Sequence, residues 1–530
     1  MATAGKKLTE CPSNLKEAID WILRVTGKDG QDGSSQNGTQ QLAGAVAGLL
    51  DGVQSSSPQL ESKLSEIKKD LTTDGNNGII NALADGLKKF KEGIQTSGSS
   101  SNVYQALNNS SLTSKVPKAG EIFLGCVPLC FYGLSYLYWR CSEKGGGWYG
   151  LTFTDPTAPA LKNFMVSMGF DTKQLKGERQ GGTGQKVAEA LQSFQELKSA
   201  VENEKSLTKF FSTIHSNFNE KLKEVSPPIV DTLKQHSLPA IFLCSSAYFK
   251  YKRTYGSTDS IPPPSTIRQM LYWLSGLLVS PNFSDLLKHI HSPFSDGPMP
   301  VAVSGSHEQQ EKLSADDLAG HLITSCISSI QVLRSIQGRA VSDEPLLHNV
   351  YCNSEFSYSD YGSALFNALS DYTYALQFQL SFLYQQCSIG ITNGGWYNCK
   401  FGNGVVANAK SHICPVKCTK GSGCRHGSNG CNHASECGQS GKLSPLQAFL
   451  TDNLRGFSLR PKSYIGSPSH LENHPPGAIC HVNMGFNADH LRSSGKVIQI
   501  PPSDSFPKDC NASQSVRPRH LETSSGSICN

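Results

Sequence analysis

Tyr136-Leu-Tyr-Trp-Arg-Cys141-Ser142 returns 246 residues later (Cys141 to Cys387) as Phe382-Leu-Tyr-Gln-Gln-Cys387-Ser388. A short loop follows each stretch, ending in Gly146-Gly147-Trp148-Tyr149 and Gly394-Gly395-Trp396-Tyr397, with the tryptophans 248 apart (148 to 396). Upstream, Ser13-Asn-Leu15-Lys16-Glu-Ala-Ile19-Asp-Trp21-Ile22 is echoed by Ser265-Thr-Ile267-Arg268-Gln-Met-Leu271-Tyr-Trp273-Leu274, 252 residues on (Trp21 to Trp273). Three echoes in one order at nearly one offset predict two diverged copies of one domain, and a long-range period outranks local readings. Trp21, Trp148, Trp273 and Trp396 are then expected to anchor the two cores.

A fourth echo, Met168-Gly169-Phe170-Asp171 and Met484-Gly485-Phe486-Asn487, has an offset of 316 (168 to 484), which exceeds 248 by 68. Such growth is tolerated in a surface loop, where closure entropy rises slowly with length. The reading is a first copy over 11–255 and a second over 262–530, opened by Pro262-Pro263-Pro264. The second copy carries a cysteine-rich insert over 399–467, expected to be exposed.

Working outward, apolar residues recur at helical spacing. Leu15 to Val25 has Pro12 and Ser13 at its start and Leu15, Ile19 and Ile22 on one face. Helices are also expected over 42–53, 60–71, 79–94, 186–198, 207–225, 313–336 and 361–386, with a polar loop over 27–38. Strand-like alternation is scarce, so the expected fold is mainly α. Ile122 to Trp139 is 18 residues without a charge, just long enough to cross a bilayer. Its echo before Cys387 is studded with glutamine, which favours a buried core helix, since matching positions should share an environment.

Apolar residues make up 38% of the 530 and charged residues 17%, enough for a packed core with long loops. A net charge of +5 with no basic block argues against nucleic-acid binding. The first twelve residues contain no apolar run, so no ordinary signal peptide is visible.

Seventeen cysteines are present, seven of them between Cys387 and Cys437. That density favours an oxidising destination and disulfides. Candidate disulfide cysteines are Cys126, Cys130, Cys141, Cys387, Cys399, Cys414, Cys418, Cys424, Cys431, Cys437 and Cys480. Each bridge in a segment without a core would contribute roughly 2–4 kcal/mol. Zinc is the rival reading, because His412, His426 and His433 lie among these cysteines, although close C-x2-C pairs are missing. An intracellular zinc-binding interaction module is therefore the alternative function.

Other motifs read as packing. Gly44-x3-Gly48 predicts close helix contact. Gly181-Gly-Thr-Gly184 lacks the Gly-Lys-Ser/Thr ending of a phosphate loop. No nucleophile, base and orienting acid can be assembled from spacing, so neither catalysis nor a cofactor is expected.

Asn14-Leu-Lys-Glu-Ala-Ile-Asp-Trp-Ile-Leu-Arg-Val-Thr-Gly-Lys-Asp29 resembles the variant erythrocyte surface antigen family of Babesia parasites, close to the alpha-subunit type. Leu124-Gly-Cys-Val-Pro-Leu-Cys through Cys141 resembles that family's first cysteine block. Ser444 to Arg455 and His474 to Phe486 resemble later ones. The resemblance implies export to the surface of the infected erythrocyte without a recognisable signal peptide. It further implies antigenic variation, immune evasion and cytoadhesion. Implied partners are a host endothelial receptor, host antibodies and a second surface-antigen subunit. Such proteins usually carry a carboxy-terminal membrane helix, and this chain shows none before Asn530, so the expectation is a truncated product, an incomplete gene, or a subunit associated with the membrane indirectly or through a partner.

Overall fold

The computed structural model describes residues 6–29, 35–53, 58–72, 78–95, 102–105, 116–143, 147–153, 160–171, 175, 183–204, 206–224, 230–254, 263–280, 282–292, 299–302, 310–337, 356–389, 395–397, 399–403, 405, 444–454 and 482–491.

Helix α1 (Leu15–Val25) starts where the Asn14 side chain accepts from the Glu17 amide at 2.8 Å, satisfying a donor the helix leaves open. The Glu17 carboxylate reaches back to the Ser13 amide and hydroxyl at 2.9 and 2.8 Å. Helices α2 (Ser35–Asp51), α3 (Pro58–Thr72), α4 (Ile79–Ile94) and α5 (Val116–Cys141) complete the first group. Then come α6 (Ala160–Ser167), α7 (Thr183–Leu191), α8 (Gln195–Asn203), α9 (Leu207–Glu224), α10 (Val230–Gln235) and α11 (Ser237–Thr254). The single helix expected over 186–198 is two, broken at Gln192-Ser193-Phe194, where the Phe194 ring fits against Gly86 of α4. Helix α2 begins inside the polar stretch expected to be a loop.

Helix α12 (Ile267–Leu277) opens the second group, followed by α13 (Phe283–His291). An antiparallel hairpin of β1 (Met299–Ala302) and β2 (Gln310–Leu313) pairs Met299 with Leu313. No strands were expected here, because four-residue strands are too short to show alternation. Helices α14 (Ala315–Gln337), α15 (Gly362–Ser388) and α16 (Pro445–Leu450) complete the mainly α fold.

Helix α5 is the axis of the first group: α1, α2, α7 and α11 all pack on it. Its 18-residue apolar window is long enough for a membrane span, yet is wholly buried inside the protein. Pro128 lies inside this helix and cannot donate to the Leu124 carbonyl one turn back. The Ser245 hydroxyl of α11 donates to that carbonyl instead, at 2.8 Å, so the acceptor the proline leaves open is satisfied by the helix lying across it. Gly44 and Gly48 do not make the close contact expected of them: both face open space. The tight approach of α2 to α5 is at Gly120, where a Cβ would lie 3.0 Å from Leu49 and 3.2 Å from Ala45.

The two groups meet along α14. Arg140 pairs with Asp317 at 2.6 Å, Gln331 donates to the Ser167 carbonyl at 2.6 Å, and Arg334 reaches Glu17 at 3.1 Å. Burial pushes the Glu17 carboxyl up, but Arg334 and Lys6 more than offset this and hold it below the ordinary range. Gly320 gives the room in which Tyr136 packs against α14.

Candidate functional site

The four tryptophans do not converge on one site. Each is buried in its own frame, and the frames can be set side by side. Trp21 donates to the Leu8 carbonyl at 2.9 Å, and Trp273 to the Ser357 carbonyl at 3.2 Å. The Trp148 amide donates to the Arg140 carbonyl at 2.8 Å, and the Trp396 amide to the Gln386 carbonyl at 2.6 Å. Trp148 packs with Tyr136 and Phe164 at ring separations of 5.7 and 5.6 Å. Trp396 packs with Phe382 and Phe449 at 5.6 and 5.4 Å.

The starts of α1 and α12 are docked alike. The Lys16 amide donates to the Met168 carbonyl and the Arg268 amide to the Met484 carbonyl, both at 3.0 Å. Gly169 (φ +90°) and Gly485 (φ +76°) follow those methionines. Both need glycine twice over: the backbone is left-handed, and a Cβ would overlap Asn14 or Thr266. One turn into each helix, Lys91 pairs with the buried Asp20 at 2.6 Å, while Tyr272 donates to Gln337 at 2.8 Å.

Of the glycine motif at 181–184, the described end holds another loop. Gly184 and Gln185 at the start of α7 donate to the carbonyls of Leu151 and Tyr149 at 3.1 and 2.9 Å.

The disulfide expectation is corrected. Cys126, Cys130, Cys141, Cys387 and Cys399 are buried free thiols, as are Cys244 and Cys326. They pack as small apolar side chains. Burial pushes the thiols of Cys130 and Cys244 up to about 12 and that of Cys399 to about 11. Burial and then the neighbouring Cys399 raise Cys387 to about 12. Such thiols are poor nucleophiles, since the thiolate is the reactive form. Cys414, Cys418, Cys424, Cys431, Cys437 and Cys480 lie outside the described residues. Among the described residues no group of three or more His, Cys, Asp or Glu is placed to hold a metal ion. The exposed insert expected over 399–467 is narrowed too. Cys399 and Phe401 at one end are buried, as are Leu446, Phe449, Leu450 and Leu454 within it.

The feature the sequence reading missed is a cavity of about 740 Å³ between α14 and α15. Leu271 and Leu274 of α12, Leu322 of α14, and Leu376 and Leu380 of α15 form its apolar base. Its rim is polar: His321, Ser325 and Ser328 on α14 face Thr373, Gln377 and Ser381 on α15. None of its lining residues is Asp, Glu, Lys or Arg. Thr373, Gln377, Ser381 and Gln385 recur every fourth residue, and all four are exposed. That polar stripe along α15 was the available signal of a bare face.

No protein-family model, no curated protein and no solved structure matches this chain.

Proposed function

We propose that the chain is a non-catalytic variable antigen of the infected-erythrocyte surface. It would act in antigenic variation and in adhesion to host endothelium, and be built from two diverged copies of one helical domain. The reading of surface and host rests on the resemblance to the Babesia antigen family, which extends over most of the chain. Its partners would be a host endothelial receptor, host antibodies and a second surface-antigen subunit.

The observation that best supports the reading is how differently spaced residues serve matching frames. Trp148 and Phe164 touch across 16 residues of chain, while Trp396 and Phe449 touch across 53. Phe164 and Met168 are four residues apart, and their proposed counterparts Phe449 and Met484 are 35 apart. A frame that accepts such length differences lets connecting segments vary at little folding cost, as an antigen under immune selection requires. The growth then falls in two stretches, 406–443 and 455–481, on either side of α16. Both lie outside the described residues.

The test is staining of live, unpermeabilised infected erythrocytes with antibody raised against residues 406–443. Surface signal is expected. Signal only after permeabilisation, from demonstrably expressed protein, would overturn the surface reading.

A further inference from the structure

We infer that the cavity between α14 and α15 is a docking groove for one amphipathic helix of a partner protein, presenting an uncharged aliphatic and aromatic face. The inference rests on the pairing of the two halves proposed above and deepens it.

The argument begins with what covers the matching trough in the first half. In the proposed register, Lys91 of α4 corresponds to Gln337 of α14, and Phe131 of α5 to Gln377 of α15, both 246 residues on. The trough between α4 and α5 is filled: α7 and α11 each pack against both helices. Phe242 of α11 stacks on Phe131 at 4.1 Å, and Ser245 bonds into the α5 backbone. Phe194, just after α7, sits on Gly86 of α4, whose counterpart on α14 is Val332. Gln377 and Val332 line the cavity, so positions that are covered by α11 and by the turn after α7 in one half meet open space in the other.

Shape and chemistry agree. From Leu318 to Val332 the α14 wall runs fourteen residues, about 21 Å of helix, or four turns. A leucine base below a neutral polar rim suits a helix laid in a groove, read by side chains three and four residues apart. With no charge on the lining, nothing selects a charged ligand. A second copy cannot offer its α11, because Leu238, Ile241, Phe242 and Phe249 are buried in its own core.

The probe is a fluorescent synthetic peptide of the α11 sequence, residues 237–254 with Cys244→Ser, titrated into the full chain by anisotropy. Saturable binding is expected, weakened at least tenfold by Ser325→Arg with Ser381→Arg. Those two positions are exposed, so the fold is retained. Gln377→Phe installs the proposed counterpart of Phe131 and should tighten binding roughly threefold to tenfold, the value of one aromatic stack. Absence of binding, or binding indifferent to the arginines, overturns the groove. Groove-dependent binding that Gln377→Phe does not improve leaves the groove and overturns the pairing of the halves. A homodimer in sedimentation that the arginines dissociate makes a second copy the occupant and overturns the partner helix.

Discussion

Helices α5 and α15 occupy matching places in the proposed pairing and live in opposite surroundings. Residues 122–139 of α5 are buried throughout, whereas α15 buries one face and leaves Thr373, Gln377, Ser381 and Gln385 exposed. The difference is written in composition: α5 reads Phe-Leu-Gly-Cys-Val-Pro-Leu-Cys-Phe where α15 is threaded with glutamine, serine and threonine. An apolar run of membrane length thus reports how many helices pack around a segment. Here α7 and α11 supply what a bilayer would otherwise supply.

The sharpest way to break this contrast is a matched pair of truncations. Phe131→Ala removes a fully buried ring stacked on Phe242 and is expected to cost about 3–5 kcal/mol. Gln377→Ala at the corresponding exposed position is expected to stay within about 0.5 kcal/mol of wild type. Chemical denaturation monitored by far-ultraviolet circular dichroism measures both. Equal losses would mean that the two helices are equally enclosed.

A second effect belongs to the first half alone, because it arises in the helices that cover α5. Glu196 of α8 is buried with neither carboxyl oxygen in a hydrogen bond of normal geometry. Burial pushes its carboxyl up to about 8, and the amides of Glu196 and Leu238 oppose this without reversing it. With the folded value raised, the native state holds a proton that the unfolded chain has released. Stability from this group is therefore present below the ordinary carboxylate pKa and is lost as pH rises towards 8. His215 acts oppositely: burial lowers it to about 4, so its contribution increases with pH up to the ordinary histidine value. Between about pH 7 and 8 the His215 effect is nearly complete and Glu196 dominates, so stability falls by up to about 1 kcal/mol per pH unit. Glu196→Gln should flatten the stability profile over that interval. An unchanged slope would show that the carboxyl is not held protonated.

Much of the architecture was legible. The periodicity of Leu15 to Val25 and Ile79 to Ile94 marked helices whose bounds agree with the structure. Tertiary partners were not legible. Phe194 turns the chain between α7 and α8 because Gly86 leaves room for its ring, a contact 108 residues away that no local window contains (86 to 194). The cysteines misled for a related reason. Density along the chain says nothing about depth, and Cys126, Cys130 and Cys141 serve as core side chains. The cavity was half legible, since the stripe on α15 is visible in sequence but the missing neighbour is not.

The smallest expected effect tests the glycines that the two frames share against one they do not. Gly44 lies in the exposed interior of α2 with open space where a Cβ would go. Gly44→Ala should therefore stabilise by about 0.5–1 kcal/mol, mainly by restricting the unfolded chain. Gly169→Ala and Gly485→Ala should each destabilise by more than that, because both glycines sit at positive φ with a capping side chain where the methyl would go. Thermal melts of the three variants give the signs directly. The informative outcome is the second pair. If Gly169→Ala destabilises and Gly485→Ala does not, the docking of α12 on Met484 is looser than that of α1 on Met168. The second half would then differ from the first in its frame as well as in its missing cover.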